Sequence, residues 1–206
     1  MDDRPREVGV VAKLPKRPRW AEAKARLETF DRKGLVSLIH DLYEASPANR
    51  RFLDSRLLSP SAAIEEYRRL VADAICPDPL SRRRISVRDT CAVITAYRRA
   101  TGNLTGTVDL MLTFVEAGTE QAADLGYGDD DYFDALANKL KAIEKAFDEL
   151  PATVRATAVA RLTRVRARGM NIGWGYGDLL DDEVRKLERR AEPTPPTTSR
   201  SRRALS

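Results

Sequence analysis

Carboxylates are the side chains whose type and spacing most directly suggest chemistry in this sequence. They form two clusters, each at the predicted start of a helix: Asp129, Asp130, Asp131 and Asp134, and Asp178, Asp181, Asp182 and Glu183. Oxygen ligands of this kind hold divalent cations, so Asp129, Asp130, Asp178 and Asp182 are candidate metal ligands for a metal-dependent hydrolase. The spacing is not that of an EF-hand, and acids in a first helical turn ordinarily cap free amides. The sequence therefore favours helix capping over metal binding.

Glycine-rich turns precede both acidic clusters. Gly126-Tyr127-Gly128-Asp129 recurs as Gly175-Tyr176-Gly177-Asp178, 49 residues later, and Gly173-Trp174 extends the second copy. Such turns cradle phosphate where they open a helix, but the acids that follow would repel an anion. We interpret them as turns that link helices. Because aromatic residues are scarce in this chain, Trp174, Tyr176 and Tyr127 are candidates for an interaction surface.

Arginines supply the remaining candidates for binding. Arg161, Arg164 and Arg168 share one face of a predicted helix, and Arg82-Arg83-Arg84 form a run in a predicted loop. Phosphate contact is one interpretation, and a solvated face paired with neighbouring acids is the other. No aromatic residues alternate with the arginines, which favours the second interpretation. We keep Arg161, Arg164 and Arg168 as candidate residues of an interaction surface.

The numbers of histidine and cysteine exclude several classes of site. His40 is the single histidine and Cys76 and Cys91 are the two cysteines, so multi-histidine and four-thiolate zinc sites cannot be built. No nucleophile, base and orienting acid are placed together by the sequence. We expect no cofactor and favour a non-enzymatic protein, although an enzyme remains an alternative.

The net charge of +5 is carried by the two ends of the chain. Residues 1 to 20 carry +3, residues 185 to 206 carry +5, and residues 21 to 184 carry −3. Residues 1–18 form a basic, proline-containing segment, and residues 191–206 are predicted to be a disordered tail rich in Pro, Ser, Thr and Arg. Nucleic-acid association through these basic ends is therefore an alternative function. No apolar run suits a signal peptide or a membrane span, so we expect a cytoplasmic protein with no membrane partner.

Helical periodicity dominates the chain between these ends. Leu35, Leu38, Ile39 and Leu42 mark one helix, and Ser46-Pro47 and Ser59-Pro60 each combine a helix stop with a new start. Residues 108 to 115 are apolar on nearly all sides, which predicts a central buried helix ending at Gly118, before a short helix over 119–125. The most regular stripe is Phe133, Leu136, Leu140, Ile143, Phe147 and Leu150.

These patterns predict an all-α fold with about eight helices in a single domain over residues 19–190. The recurring Gly-Tyr-Gly-Asp turn indicates a weak internal duplication. Stacked helical hairpins of this kind are typical of a short HEAT-like α-solenoid, and an irregular helical bundle is the equal alternative.

The chain also resembles an uncharacterised bacterial family, a domain of unknown function. The similarity lies in Leu42-Tyr43, Ser46-Pro47-Ala48-Asn49, Phe52-Leu53, Pro77-Asp78-Pro79, Gly118-Thr119 and Tyr127-Gly128-Asp129. It covers residues 34 to about 148. The resemblance implies a helical bacterial protein and assigns no activity or site residues.

The leading hypothesis from the sequence is an adaptor or scaffold module that binds a protein partner. Its helical hairpins would present a surface centred on the Gly-Trp-Gly-Tyr-Gly turn at residues 173–177. The sequence identifies neither the partner nor the pathway.

Overall fold

The computed structural model describes residues 20–58, 60–81, 83–173 and 175–191. These residues form an all-α helical bundle, as predicted, and contain no β-strand. The helices are α1 (Trp20–Leu27), α2 (Arg32–Ala45), α3 (Pro47–Leu57), α4 (Pro60–Ile75), α5 (Val87–Thr101), α6 (Leu104–Leu125), α7 (Asp130–Ala146), α8 (Ala152–Gly169) and α9 (Tyr176–Ala191).

Contacts divide the chain into two compact units, which meet in sequence at Asn49 and Arg50. The first contains α1, α2 and the start of α3. The Asp31 side chain caps α2 by accepting a hydrogen bond from the Gly34 amide at 2.7 Å. Neither α1 nor α2 contains a buried residue. Within residues 20–49, the part of this unit that the structure describes, the helices therefore share no buried core.

The second unit, from Arg50 onwards, holds the hydrophobic core. Helices that follow one another in sequence pack together: α4 against α5, α6 against α7, and α8 against α9. Helix α6 also packs against α4, α5 and α8, so it is the central helix, as its apolar composition predicted. The stripe from Phe133 to Leu150 is confirmed, because all six predicted residues are buried. Its last two residues, Phe147 and Leu150, lie beyond the end of α7, in and just after a 3₁₀ turn over Phe147–Glu149.

One predicted boundary is wrong. Gly118 does not end a helix, because α6 continues through it to Leu125 and ends at Gly126, which adopts a left-handed conformation (φ 60°). A Cβ atom at Gly118 would lie 2.5 Å from Leu136 Cδ2, and the Gly118 carbonyl accepts a hydrogen bond from the Tyr132 hydroxyl at 2.7 Å. The glycine therefore serves the close approach of α7 to α6.

Several predictions concern residues that lie wholly or partly outside the described ranges. The N-terminal segment 1–18 lies outside them entirely, and of the tail 191–206 only Ala191 is described, as the last residue of α9. The single domain over 19–190 and the HEAT-like repeat both stay predictions.

Candidate interaction surfaces

The first glycine turn and the loop that follows α8 meet at one cleft. Helices α6 and α8 both end there, and α7 starts there. The cleft has a volume of about 460 Å³ and is lined by Asp124, Gly126, Tyr127, Gly128, Phe133, Arg168, Asn171, Ile172 and Gly173, among others. Of the second glycine turn, Gly173 lines the cleft, and the repeated residues 175–178 do not.

Aromatic side chains form a layer next to this cleft. Phe133 lies between Tyr132 and Tyr176, with ring centroids 5.6 and 5.4 Å away. The Tyr176 hydroxyl shares a 2.7 Å hydrogen bond with the Thr119 hydroxyl. Burial raises the pKa of both Tyr132 and Tyr176 well above the ordinary tyrosine value. Tyr176 is only 2% exposed, so the structure places it in the core rather than on a contact surface.

Two predicted surface residues do line the cleft. Tyr127 is 43% exposed and packs edge-on against Tyr132. Arg168 is exposed and forms an ion pair with Asp124, so its charge is already matched. Trp174 lies outside the described residues. The cleft thus brings together Tyr127 and Arg168 from the predicted set.

Arg161 has a structural environment that its sequence pattern did not reveal. Its guanidinium donates to Asp109 Oδ1 at 2.6 Å and to Glu116 Oε1 at 2.7 Å, while Arg68 donates to Asp109 Oδ2 at 2.5 Å. Burial disfavours the charged guanidinium, but bonds to Glu116 and Asp109 outweigh it and raise the pKa of Arg161. These contacts tie α4, α6 and α8 together. Arg164, three residues further along α8, is exposed and separate from this network.

The Arg161 network also forms part of a second cleft of about 460 Å³. Its apolar wall includes Ile64, Leu112 and Val154. Both oxygens of Asp109 already accept hydrogen bonds from arginines, so this carboxylate is engaged in contacts within the protein.

The acidic clusters act at helix starts. The Asp129 side chain caps α7 by accepting a hydrogen bond from the Tyr132 amide at 2.9 Å. Asp130 lies in the first turn of α7 and Asp178 in the first turn of α9, while Asp182 is exposed further along α9. Within the described ranges, no three carboxylate, thiol or imidazole side chains are grouped closely enough to hold a metal ion. The structure thus does not gather the four candidate ligands into a metal centre.

A surface that the sequence analysis did not single out lies on α2. Val36 is 59% exposed, Ile39 44% and Leu42 49%, and the neighbouring Leu35 and Leu38 are half-buried. The sequence signal for this surface is the apolar stripe itself, which also predicts a helix. We call this set, Leu35, Val36, Leu38, Ile39 and Leu42, the α2 apolar face.

A second overlooked feature is the uneven distribution of charge within the folded residues. Residues 50–103 contain eleven arginines, no lysine and six carboxylates, a net charge of +5. The value of −3 for residues 21–184 conceals this excess, because the acids of α6 to α9 outweigh it. The sequence carried this signal, but an average over the whole core removed it.

Comparisons with known proteins add no assignment. No family model, no curated protein and no solved structure matches the chain. No helix in the described part of the chain is long and apolar enough to span a membrane.

Proposed function

We propose that this chain is a non-enzymatic helical protein-interaction module whose primary contact is the α2 apolar face. The observation that carries the proposal is the exposure of Val36, Ile39 and Leu42, at 44–59%, on a helix that contains no buried residue. Short helices gain most of their stability in water from packing of an apolar face. A partner that covers this face would supply that packing.

The composition of the face suits protein binding. Aliphatic side chains at helical spacing are the anchors with which an amphipathic helix enters a groove on another protein. Contiguous exposed apolar patches of this kind mark interaction sites on soluble proteins. The cleft at the first glycine turn, with Tyr127 on its wall, is a separate depression on the second unit and is not needed for this contact.

Site-specific photo-crosslinking in the native host tests the proposal. A photoreactive residue at position 39 would lie on the apolar face, whereas one at position 37 would lie about 200° around the helix. We expect discrete crosslinked protein adducts from position 39 and none from position 37. Ser37 is exposed, so it is a matched control.

Two outcomes would contradict the proposal. Equal yields at the two positions would indicate non-specific collision, and no adduct at either would indicate a face without a protein partner. Light scattering of the purified chain distinguishes a second copy from a different partner.

A further inference from the structure

Helix α5 presents a basic face to solvent. Its inner side buries Ile94, Tyr97 and Ala100 against α4 and α6. Arg88, Arg98 and Arg99 are exposed on its outer side. The ion pairs found among the described residues involve other arginines, on α3, α4, α8 and α9. By contrast, most arginines of α8 and α9 form ion pairs with carboxylates. The arginines of α5 therefore carry more unpaired positive charge than those of α8 and α9.

The spacing aligns two of these arginines along one line. Arg88 and Arg99 are eleven residues apart. This separation corresponds to about three turns of an α-helix, so the two side chains lie on the same side, about 16 Å apart along the axis. The exposed residues Ala92 and Thr95 lie between them and are small, so a binding partner can approach the helix closely.

A fourth arginine lies next to Arg99. Arg56 on α3 lines the same groove as Arg99, together with the exposed Leu58, in a depression of about 570 Å³. Arg56 also has no ion pair within the described residues. We call Arg56, Arg88, Arg98 and Arg99 the α5 basic surface.

Acids are scarce around this surface. Asp89, which follows Arg88, is the last carboxylate in the sequence before Asp109, and Asp109 is held by Arg68 and Arg161. Arg83 and Arg84, which precede α5, are a different case, because Asp73 and Asp89 line their groove. We therefore leave Arg83 and Arg84 out of the surface.

We propose that the α5 basic surface binds the phosphate backbone of a nucleic acid, without sequence preference. Arginine is suited to phosphate because its planar guanidinium donates two parallel hydrogen bonds. The exposed part of α5 carries no aromatic residue to stack on a base and no large apolar side chain to anchor in a lipid bilayer or a protein groove. A repeating row of phosphates is the partner that this arrangement matches best.

This proposal is independent of the protein-interaction function, because it rests on residues of the second unit alone. It also differs from association through the basic ends, because residues 1–18 and 191–206 are not needed for it. Binding through the α5 basic surface and binding through the basic ends therefore predict opposite results for variants of the full chain.

The test measures binding of the full chain to a labelled duplex DNA and a labelled single-stranded RNA, by fluorescence anisotropy over a series of salt concentrations. We expect Arg88→Gln with Arg99→Gln to weaken binding at least about tenfold and to reduce the slope of log affinity against log salt by about 2. The matched control, Arg164→Gln with Arg189→Gln, removes the same charge from exposed positions on α8 and α9 and should leave the slope unchanged. Circular dichroism melting curves check that both double variants remain folded.

Three results would overturn the assignment. One is the absence of binding to either nucleic acid even at the lowest salt. Another is binding that survives in the α5 variant but disappears when Arg200, Arg202 and Arg203 are replaced by Gln, which would assign it to the tail. The third is binding to phosphatidylserine vesicles with none to nucleic acid.

Discussion

Arg161 on α8 bonds to Asp109 on α6 through a 2.6 Å contact between Nη1 and Oδ1, across 52 residues of sequence. Both side chains are largely buried, with 16% and 19% exposure. The same guanidinium bonds to Glu116, and the same carboxylate accepts from Arg68. The pair joins α8 to α6, and Arg68 joins α4 to the same carboxylate.

Removal of this guanidinium should destabilise the protein. Arg161→Met removes the guanidinium that binds Glu116 and leaves Asp109 with Arg68 as its one remaining arginine. Breaking a buried ion pair costs about 3–5 kcal/mol. Because Glu116 is about one-third exposed, we expect a smaller loss of about 2–3 kcal/mol in the free energy of unfolding, measured by urea denaturation. The control is Arg164→Met on the exposed side of α8, which should change it by less than about 0.5 kcal/mol. Equal losses in the two variants would refute a structural role for the network.

Gly177 should tolerate no side chain. A Cβ atom there would lie 2.6 Å from the Met170 carbonyl oxygen and 3.1 Å from that of Gly169, and backbone atoms cannot rotate away. We expect Gly177→Ala to lower the free energy of unfolding by about 2 kcal/mol, the usual cost of overpacking. A Cβ atom at Gly173, in the loop before α9, would meet no atom within 4 Å, so Gly173→Ala should be nearly neutral. If thermal denaturation gave the same melting temperature for both, the close packing of α9 on the end of α8 would be wrong.

Stability should fall at alkaline pH because of two buried phenols. Burial raises the pKa of Tyr132 and Tyr176 in the folded state, whereas the unfolded chain ionises near the ordinary value of about 10. Below that pH neither state loses these protons, and above it the unfolded state alone does, so the free energy of unfolding decreases as pH rises past about 10. Urea midpoints across this range measure the decline. The double variant Tyr132→Phe with Tyr176→Phe should decline less steeply, and an unchanged slope would contradict the explanation.

Glu183 is a site where a substitution should increase stability. It is 6% exposed, and although Oε1 accepts a hydrogen bond from Lys186 at 2.7 Å, Oε2 has no partner within the described residues. Replacement of a partly satisfied buried carboxylate by an apolar side chain removes a desolvation penalty. We expect Glu183→Met to raise the free energy of unfolding by about 1 kcal/mol in chemical denaturation. Asp182→Met, at the exposed neighbour, should change it by less than about 0.5 kcal/mol, and a destabilised Glu183→Met would show that the charge is needed.

The sequence predicted the helices well because their signals are local. Ser46-Pro47 does separate α2 from α3, and the stripe from Phe133 to Leu150 does face the core. Gly118 was the exception. A glycine within a helical pattern can mark either the end of a helix or a point of close contact with another helix. The contact that distinguishes these cases at Gly118 is made by Leu136, which lies on a different helix.

The sequence by itself determined the helical class, the scarcity of histidine and cysteine, and the arginine excess of residues 50–103, because composition and periodicity are properties of the chain. Tertiary structure decided which candidates share a surface. It buried Tyr176 beside Phe133, engaged Arg161 with Asp109, brought the first glycine turn and Gly173 to one cleft and left the α2 apolar face exposed. The physical reason is that burial and pairing depend on contacts between helices, which a one-dimensional pattern does not contain.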